Sequence, residues 1–186
     1  MSENALSEPW LGLMERLDSD VADVRYWAVS EAGSRAVVGQ VLPRAVKDKL
    51  VDLLSNPSGD VRADACWALG QGGATWAVAD IEDRLRDEEE TPGVKARAVE
   101  ALRELKATGS AKLVLPLLHS PEADLQTAVI QAVGFFGVSE AVPELITLMY
   151  SENGWISDNA VDALAAIGGS DAESAVSEFR AKIGDE

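Results

Sequence analysis

Apolar and polar residues along this chain follow a pattern that recurs. The segment Val61-Arg62-Ala63-Asp64-Ala65-Cys66-Trp67-Ala68-Leu69-Gly70 defines a frame. With Val61 as position 0, aliphatic residues stand at 0 and 8, small or aliphatic ones at 4, 5 and 7, and often glycine at 9. The frame reappears at Val24, Val94, Leu125 and Ile156, with starts separated by 37, 33, 31 and 31 residues. Between the frames lie second apolar stretches with three- and four-residue spacing, the mark of one helix face. They run over 42–54, 74–85, 111–118, 141–149 and 172–183, and a further one over 9–17 precedes the first frame. No segment alternates with the period of two that a strand needs. The pattern therefore predicts an all-α chain of about eleven short helices in alternating types.

Start and stop signals agree with those helices. Asp60 and Ser139 are candidate caps, and Pro9 suits a first helical turn. Gly33, Gly70, Gly134 and Gly168 fall near the ends of motif helices and are read as left-handed caps. Alanines at position 4 (Ala28, Ala65, Ala98 and Ala160) are expected to let neighbouring helices approach closely. One helical hairpin cannot bury both its faces. Stacked neighbours can, so the expected architecture is a single repeat domain over 1–186, an α-solenoid of about five hairpins plus a capping helix.

The run DVRADACWALGQGG resembles the HEAT-like repeat of the phycobilisome-lyase type, and SEAVPELITLM resembles that family's other helix. The resemblance spans about residues 8 to 183 and implies a right-handed solenoid. It implies no single function, since such repeats occur in enzymes, chromophore-handling proteins and scaffolds. Two departures stand out: Arg103 where the third frame's glycine belongs, and Glu31-Ala32 where Ala-Leu is usual. The first inter-frame spacing is six residues longer than the last two, which predicts an irregular loop near Gly33 to Gln40.

At about 100° per residue, positions 0, 4, 7, 8 and 11 supply the core, and positions 2, 3, 6 and 10 cluster opposite. The resemblance makes that opposite side the concave, partner-binding face. Its candidate residues are Tyr26, Trp27, Asp64, Trp67, Gln71, Arg97, Glu100, Glu104, Gln131, Phe135, Asp158 and Asp162. Large aromatics on an exposed helix face are typical anchors of binding surfaces. Trp27 and Trp67 either anchor a partner or pack against neighbouring helices, and the carboxylates either meet a basic partner or form a solvated face. The expected groove is aromatic toward the N-terminus and acidic toward the C-terminus.

Composition narrows the chemistry. The 186 residues carry 32 Asp and Glu against 16 Lys and Arg, a formal charge of −16, with one Cys and one His. That charge opposes duplex nucleic acid and anionic lipid. One cysteine excludes an internal disulfide framework, and one histidine excludes a metal site built on several. No apolar run reaches the length of a membrane span, and MSENALSEPW lacks the regions of a signal peptide, so a cytoplasmic location is expected. No phosphate loop, nucleophile elbow or zinc-protease motif occurs. His119 reads as a surface residue, Cys66 as a buried inert thiol, and Trp10, Trp76 and Trp155 as packing groups. Arg25 and Arg62 are expected to pair with acidic loop residues such as Asp23 and Asp60, and Asp87 to Glu90 form a solvated turn. The leading expectation is a non-catalytic, monomeric scaffold without cofactor, holding a protein or peptide of basic character. The alternative is a lyase-like or accessory protein handling a bilin or other tetrapyrrole, with Arg97 pairing a propionate.

Overall fold

The structure, a computed structural model, describes residues 7–184, with side chains through Lys182. The segment Met1 to Leu6 and the polar ending at Asp185 and Glu186 lie outside the described residues. Among those described are eleven α-helices and no strand. The chain falls into two compact units, one ending at Ala107 and one beginning at Thr108. None of the described helices is long and apolar enough to cross a membrane.

The first unit holds α1 (Glu8–Leu17), α2 (Ala22–Val37), α3 (Arg44–Leu53), α4 (Gly59–Gln71), α5 (Val78–Arg86) and α6 (Pro92–Glu104). Helices α2, α4 and α6 carry the motif and pack successively on one another. The second unit holds α7 (Ala111–Val114), α8 (Ala123–Phe136), α9 (Val142–Leu148), α10 (Gly154–Ile167) and α11 (Ser170–Gly184). There α8 and α10 carry the motif and form the main packing. Tight 3-10 turns at Thr75–Ala77, Thr108–Ser110 and Ser139–Ala141 lead into α5, α7 and α9. Pro116, which has no N–H to donate, stands just past the end of α7, and the chain continues as a 3-10 turn over Leu115–His119.

The core follows the frame. Ala28, Ala65, Ala98 and Ala160 are fully buried, as are Ala32, Leu69, Leu102, Val133 and Leu164 at position 8. Val24, at position 0 of the first frame, is exposed, unlike its four counterparts. Cys66 is buried, and burial pushes its thiol up to about 12.

The glycines divide into two roles. Gly33, Gly70 and Gly134 lie inside helices and are not left-handed caps. They mark close approach. A Cβ on Gly70 would sit 2.8 Å from the Ala101 Cα, and one on Gly134 the same distance from the Ala163 Cα. Position 9 of one motif helix thus meets position 7 of the next. The left-handed residue comes three places later, at Gly73, Lys106, Gly137 and Gly168. In the first three of these repeats the following N–H bonds back to the position-8 carbonyl, which closes the helix end. In the first frame position 7 is Glu31, which meets no such glycine. Its carboxylate bonds Arg16 of α1 at 2.6 Å and Arg35 at 2.6 Å, and these bonds hold it below the usual carboxylate range. The longer first spacing is mostly helix. α2 runs on to Val37 instead of breaking after Gly33, and leaves Val38 and Val41 exposed in the connection.

In four of the five motif helices, all but α6, position 1 ties the helix to the segment before it. Arg25 donates to the Ser19 carbonyl at 2.6 Å and Arg62 to the Asn56 carbonyl at 2.7 Å. Gln126 reaches the Leu118 carbonyl at 2.9 Å, and Ser157 the Met149 carbonyl at 2.6 Å. Arg62 also forks onto Glu90 of the next repeat, with two bonds of 2.7 Å. The inter-repeat ion pair exists, but its acid is Glu90 rather than Asp60. Glu90 therefore leaves the solvated turn expected of it: its side chain is 1% exposed. Burial alone would raise its carboxyl. The bonds from Arg62 and the Thr91 N–H, with the charges of Arg62 and Arg84, outweigh burial and hold it below the usual glutamate value.

Two outcomes check this packing. Gly70→Ala places a methyl against backbone that has no slack, and should cost about 1–3 kcal/mol in urea unfolding, as overpacking does. Glu90→Gln breaks a buried pair and should cost roughly 3 kcal/mol near neutral pH. A depressed carboxyl contributes stability above its unfolded pKa and loses it as pH falls through the folded one. Wild-type stability should therefore fall more steeply than that of Glu90→Gln below about pH 4.3, read as urea midpoints across a pH series.

Candidate functional site

The candidate face comes from motif positions 2, 3, 6 and 10, and each unit presents its own part of it. In the first unit, α2 contributes Tyr26 and Trp27, whose rings meet edge to face at 5.2 Å between centroids. Trp27 is 66% exposed. Tyr26 is half-buried and forms one wall of an open cavity of about 380 Å³. The rest of the lining comes from the first turns of α4 and α6: Gly59, Asp60, Ala63, Asp64, Thr91, Gly93, Val94 and Arg97. The tight approach of α4 and α6 lies toward their other ends, at Gly70 and Ala101.

Electrostatics in this cavity are acidic. Asp60 and Asp64 stand one helical turn apart on the same face of α4. Burial raises the Asp64 carboxyl, and the Asp60 charge adds to that; a hydrogen bond with Ser30 and the charge of Arg97 oppose it. Arg97 is itself bonded to Glu100 at 2.8 Å.

Beside it lies a smaller cleft of about 60 Å³ lined by Trp67, Gln71, Glu100, Ala101, Arg103 and Glu104. Trp67 is half-buried, and its ring lies over Gly33, so close that a Cβ there would fall 2.3 Å from it. The two tryptophans thus separate: Trp27 is the exposed anchor and Trp67 is packed. Glu104 is paired with Arg103 at 3.1 Å.

In the second unit the candidates are more dispersed. Phe135 is 52% exposed and meets Phe136 edge to face. Gln131 donates to Asn159 at 2.7 Å, joining α8 to α10. Asp158 and Asp162 are exposed on α10. The Gln131–Asn159 bond links position 6 of one motif helix to position 3 of the next; Ser30 and Asp64 hold the same two positions in the first unit.

The other aromatic expectations hold unevenly. Trp10 is half-buried beneath the Arg35 guanidinium, and Trp76 carries the Arg44 guanidinium 3.7 Å from its ring centre. Trp155 does not pack: it is 65% exposed. It precedes buried Ile156 by one residue in the first turn of α10, about 100° from the core direction. His119 is exposed, 3.5 Å from Glu144. Asp60, expected as a helix cap and as an arginine partner, stands instead inside the first turn of α4, and its place in the cavity follows from the spacing, four residues before Asp64.

A family model described as HEAT repeats matches residues 11–103 and 110–182. No curated protein matches the sequence. Among solved structures, the chain is similar to the complex of CpcE and CpcF of phycocyanin lyase from Nostoc, at 22% identity and a TM-score of 0.74, over 89% of this chain and 67% of that one. It is also similar to a designed armadillo repeat protein in complex with the peptide (KR)4, at 18% identity and a TM-score of 0.64, over 91% of this chain and 87% of that one. An engineered protein matches at 18% identity and a TM-score of 0.63, over 94% and 86%. These likenesses show the fold.

The contrast between the tryptophans is measurable. Trp67→Ala should cost about 3 kcal/mol or more, because it empties a packed site. Trp27→Ala should stay within about 0.5 kcal/mol of wild type, as exposed substitutions do. Thermal unfolding of the two variants checks both.

Proposed function

The chain belongs to the HEAT repeat family, and from that premise we propose that it is a non-catalytic scaffold, acting as a cytoplasmic monomer, that holds a protein or peptide segment of basic character. The observation that carries this reading is the face of α2, α4 and α6. An exposed tryptophan stands beside an acidic cavity there, on a chain of formal charge −16. Aromatic anchors supply contact area, and unlike charge brings the partner in and sets its register. The designed armadillo repeat protein of similar fold is in complex with a basic peptide. That partner chemistry is carried over here because of the charge of this face. In the second unit, Phe135 with Asp158 and Asp162 repeats the combination of exposed ring and carboxylate.

Chromophore handling is the competing reading, and the lyase name of the Nostoc complex is what favours it. Against it, Arg97, the cation that would meet a propionate, is bonded to Glu100 and shares its cavity with two aspartates.

Binding of (KR)4 and of an alternating Glu-Asp octapeptide to the immobilised protein tests the proposal. The basic peptide should bind and the acidic one should not. Raising salt from about 0.05 to about 0.5 M should weaken binding roughly tenfold or more, as screening requires. Equal binding of both peptides, or binding indifferent to salt, would overturn it. A shift of a bilin absorption band on mixing, lost in Trp27→Ala, would establish the competing reading instead.

A further inference from the structure

We infer that the cavity between α2, α4 and α6 is a receptor for one arginine side chain of the partner, with the guanidinium bonded to Asp60 and Asp64 and its plane against the Tyr26 ring. This rests on the scaffold reading above and names the place where the basic character is read. The cavity has about 380 Å³, near the lower end of the roughly 300–1,000 Å³ typical of small-ligand pockets. That suits a single side chain better than an extended cofactor.

Three features select the chemistry. Two carboxylates on successive turns of α4 line one side, and a planar guanidinium with five donors can bond both. Tyr26 lines the other side with Trp27 edge-on against it, and a guanidinium stacks on such rings where a compact ammonium does not. The one cation in the lining, Arg97, is bonded to Glu100 at 2.8 Å and is outnumbered by the two aspartates. The cavity therefore keeps a net negative charge. Asp64 is half-buried, and its carboxyl is raised because burial penalises the charge; an arriving cation would relieve that penalty. The first turns of α4 and α6 also open here, and helix N-termini favour anions. Asp60 and Asp64 repel one, so the acidic side chains decide the sign.

In the first unit, aromatic and acidic groups line the same cavity.

The test uses the full chain and N-acetylarginine methylamide, with the citrulline analogue as the uncharged isostere. In heteronuclear NMR titration the arginine probe should give saturable shifts at the amides of Gly59, Asp64, Gly93 and Arg97, and the citrulline probe should not. Asp60→Asn with Asp64→Asn should weaken the arginine response roughly tenfold, a difference of about 1.4 kcal/mol. The same pair should weaken (KR)4, while Asp158→Asn with Asp162→Asn should leave the arginine probe unchanged. Equal response to citrulline, or no saturable shift at these amides, would overturn the receptor. So would phosphate displacing the arginine probe by shifting the same amides more strongly. If (KR)4 binds and the aspartate pair does not matter, the receptor fails and the scaffold stands. If the arginine probe binds and (KR)4 does not, the scaffold reading fails and the receptor stands.

Discussion

Successive motif helices in each unit approach so closely that only glycine fits at position 9 against the alanine at position 7 of the next helix. At Gly70 and at Gly134 the obstacle to a side chain is the backbone of the facing helix, which cannot be moved aside as a flexible side chain could. Close approach at that end of the helices lets the alanines at position 4 bury fully and the aliphatics at positions 5 and 8 interdigitate. It also fixes what happens elsewhere on the helices. A residue at position 6 is set beside position 3 of the next helix, which is why Gln131 reaches Asn159 and why Ser30 acts on the Asp64 carboxyl. The polar face is thus ordered by an apolar contact on the neighbouring flank of the same helices, position 9 lying about 60° from position 6.

A second set of bonds keeps the stack in register. Backbone carbonyls at the end of the preceding helix lack partners within their own helix. Position 1 supplies one in four of the five repeats, through arginine, arginine, glutamine or serine, while Lys95 of α6 does not. Chemically different residues do one job because the job needs only a donor at a fixed place. Arg62 does more, since its remaining donors hold Glu90, and so an acidic loop residue is drawn into the interior of the unit.

Much of this was legible in the residues. The frame starts, the alternation of helix types and the buried alanines follow from spacing alone, because burial on one helix face leaves a periodic trace. The glycines were legible as necessary but not in their role. Sequence places Gly33, Gly70 and Gly134 near helix ends, where a cap is the ordinary explanation, yet the left-handed residue comes three places after Gly70 and Gly134 and six after Gly33. At Lys106 that conformation falls on a residue other than glycine, so composition gave no signal for it. Glu90 was misjudged because its neighbours Asp87 to Glu89 make the run look solvated. Only the three-dimensional return of Arg62 separates it from them. Trp155 was misjudged for the opposite reason: bulk suggests packing, but a place one residue before the core stripe points outward.

The face shows how far spacing can go toward function. Trp27 and Trp67 are both tryptophans in the motif helices, at positions 3 and 6, and by composition they are the same kind of anchor. Their fates differ because of what lies opposite. Position 9 of the first repeat is Gly33, and the space left by its missing side chain receives the Trp67 ring. Trp27 turns its ring to Tyr26 and to solvent. A glycine that serves helix approach in the later repeats therefore acts here as a socket for an aromatic ring. The same constraint that builds the core thereby assigns one tryptophan to structure and leaves the other, with Tyr26, Asp60 and Asp64, on the surface that a basic partner would meet.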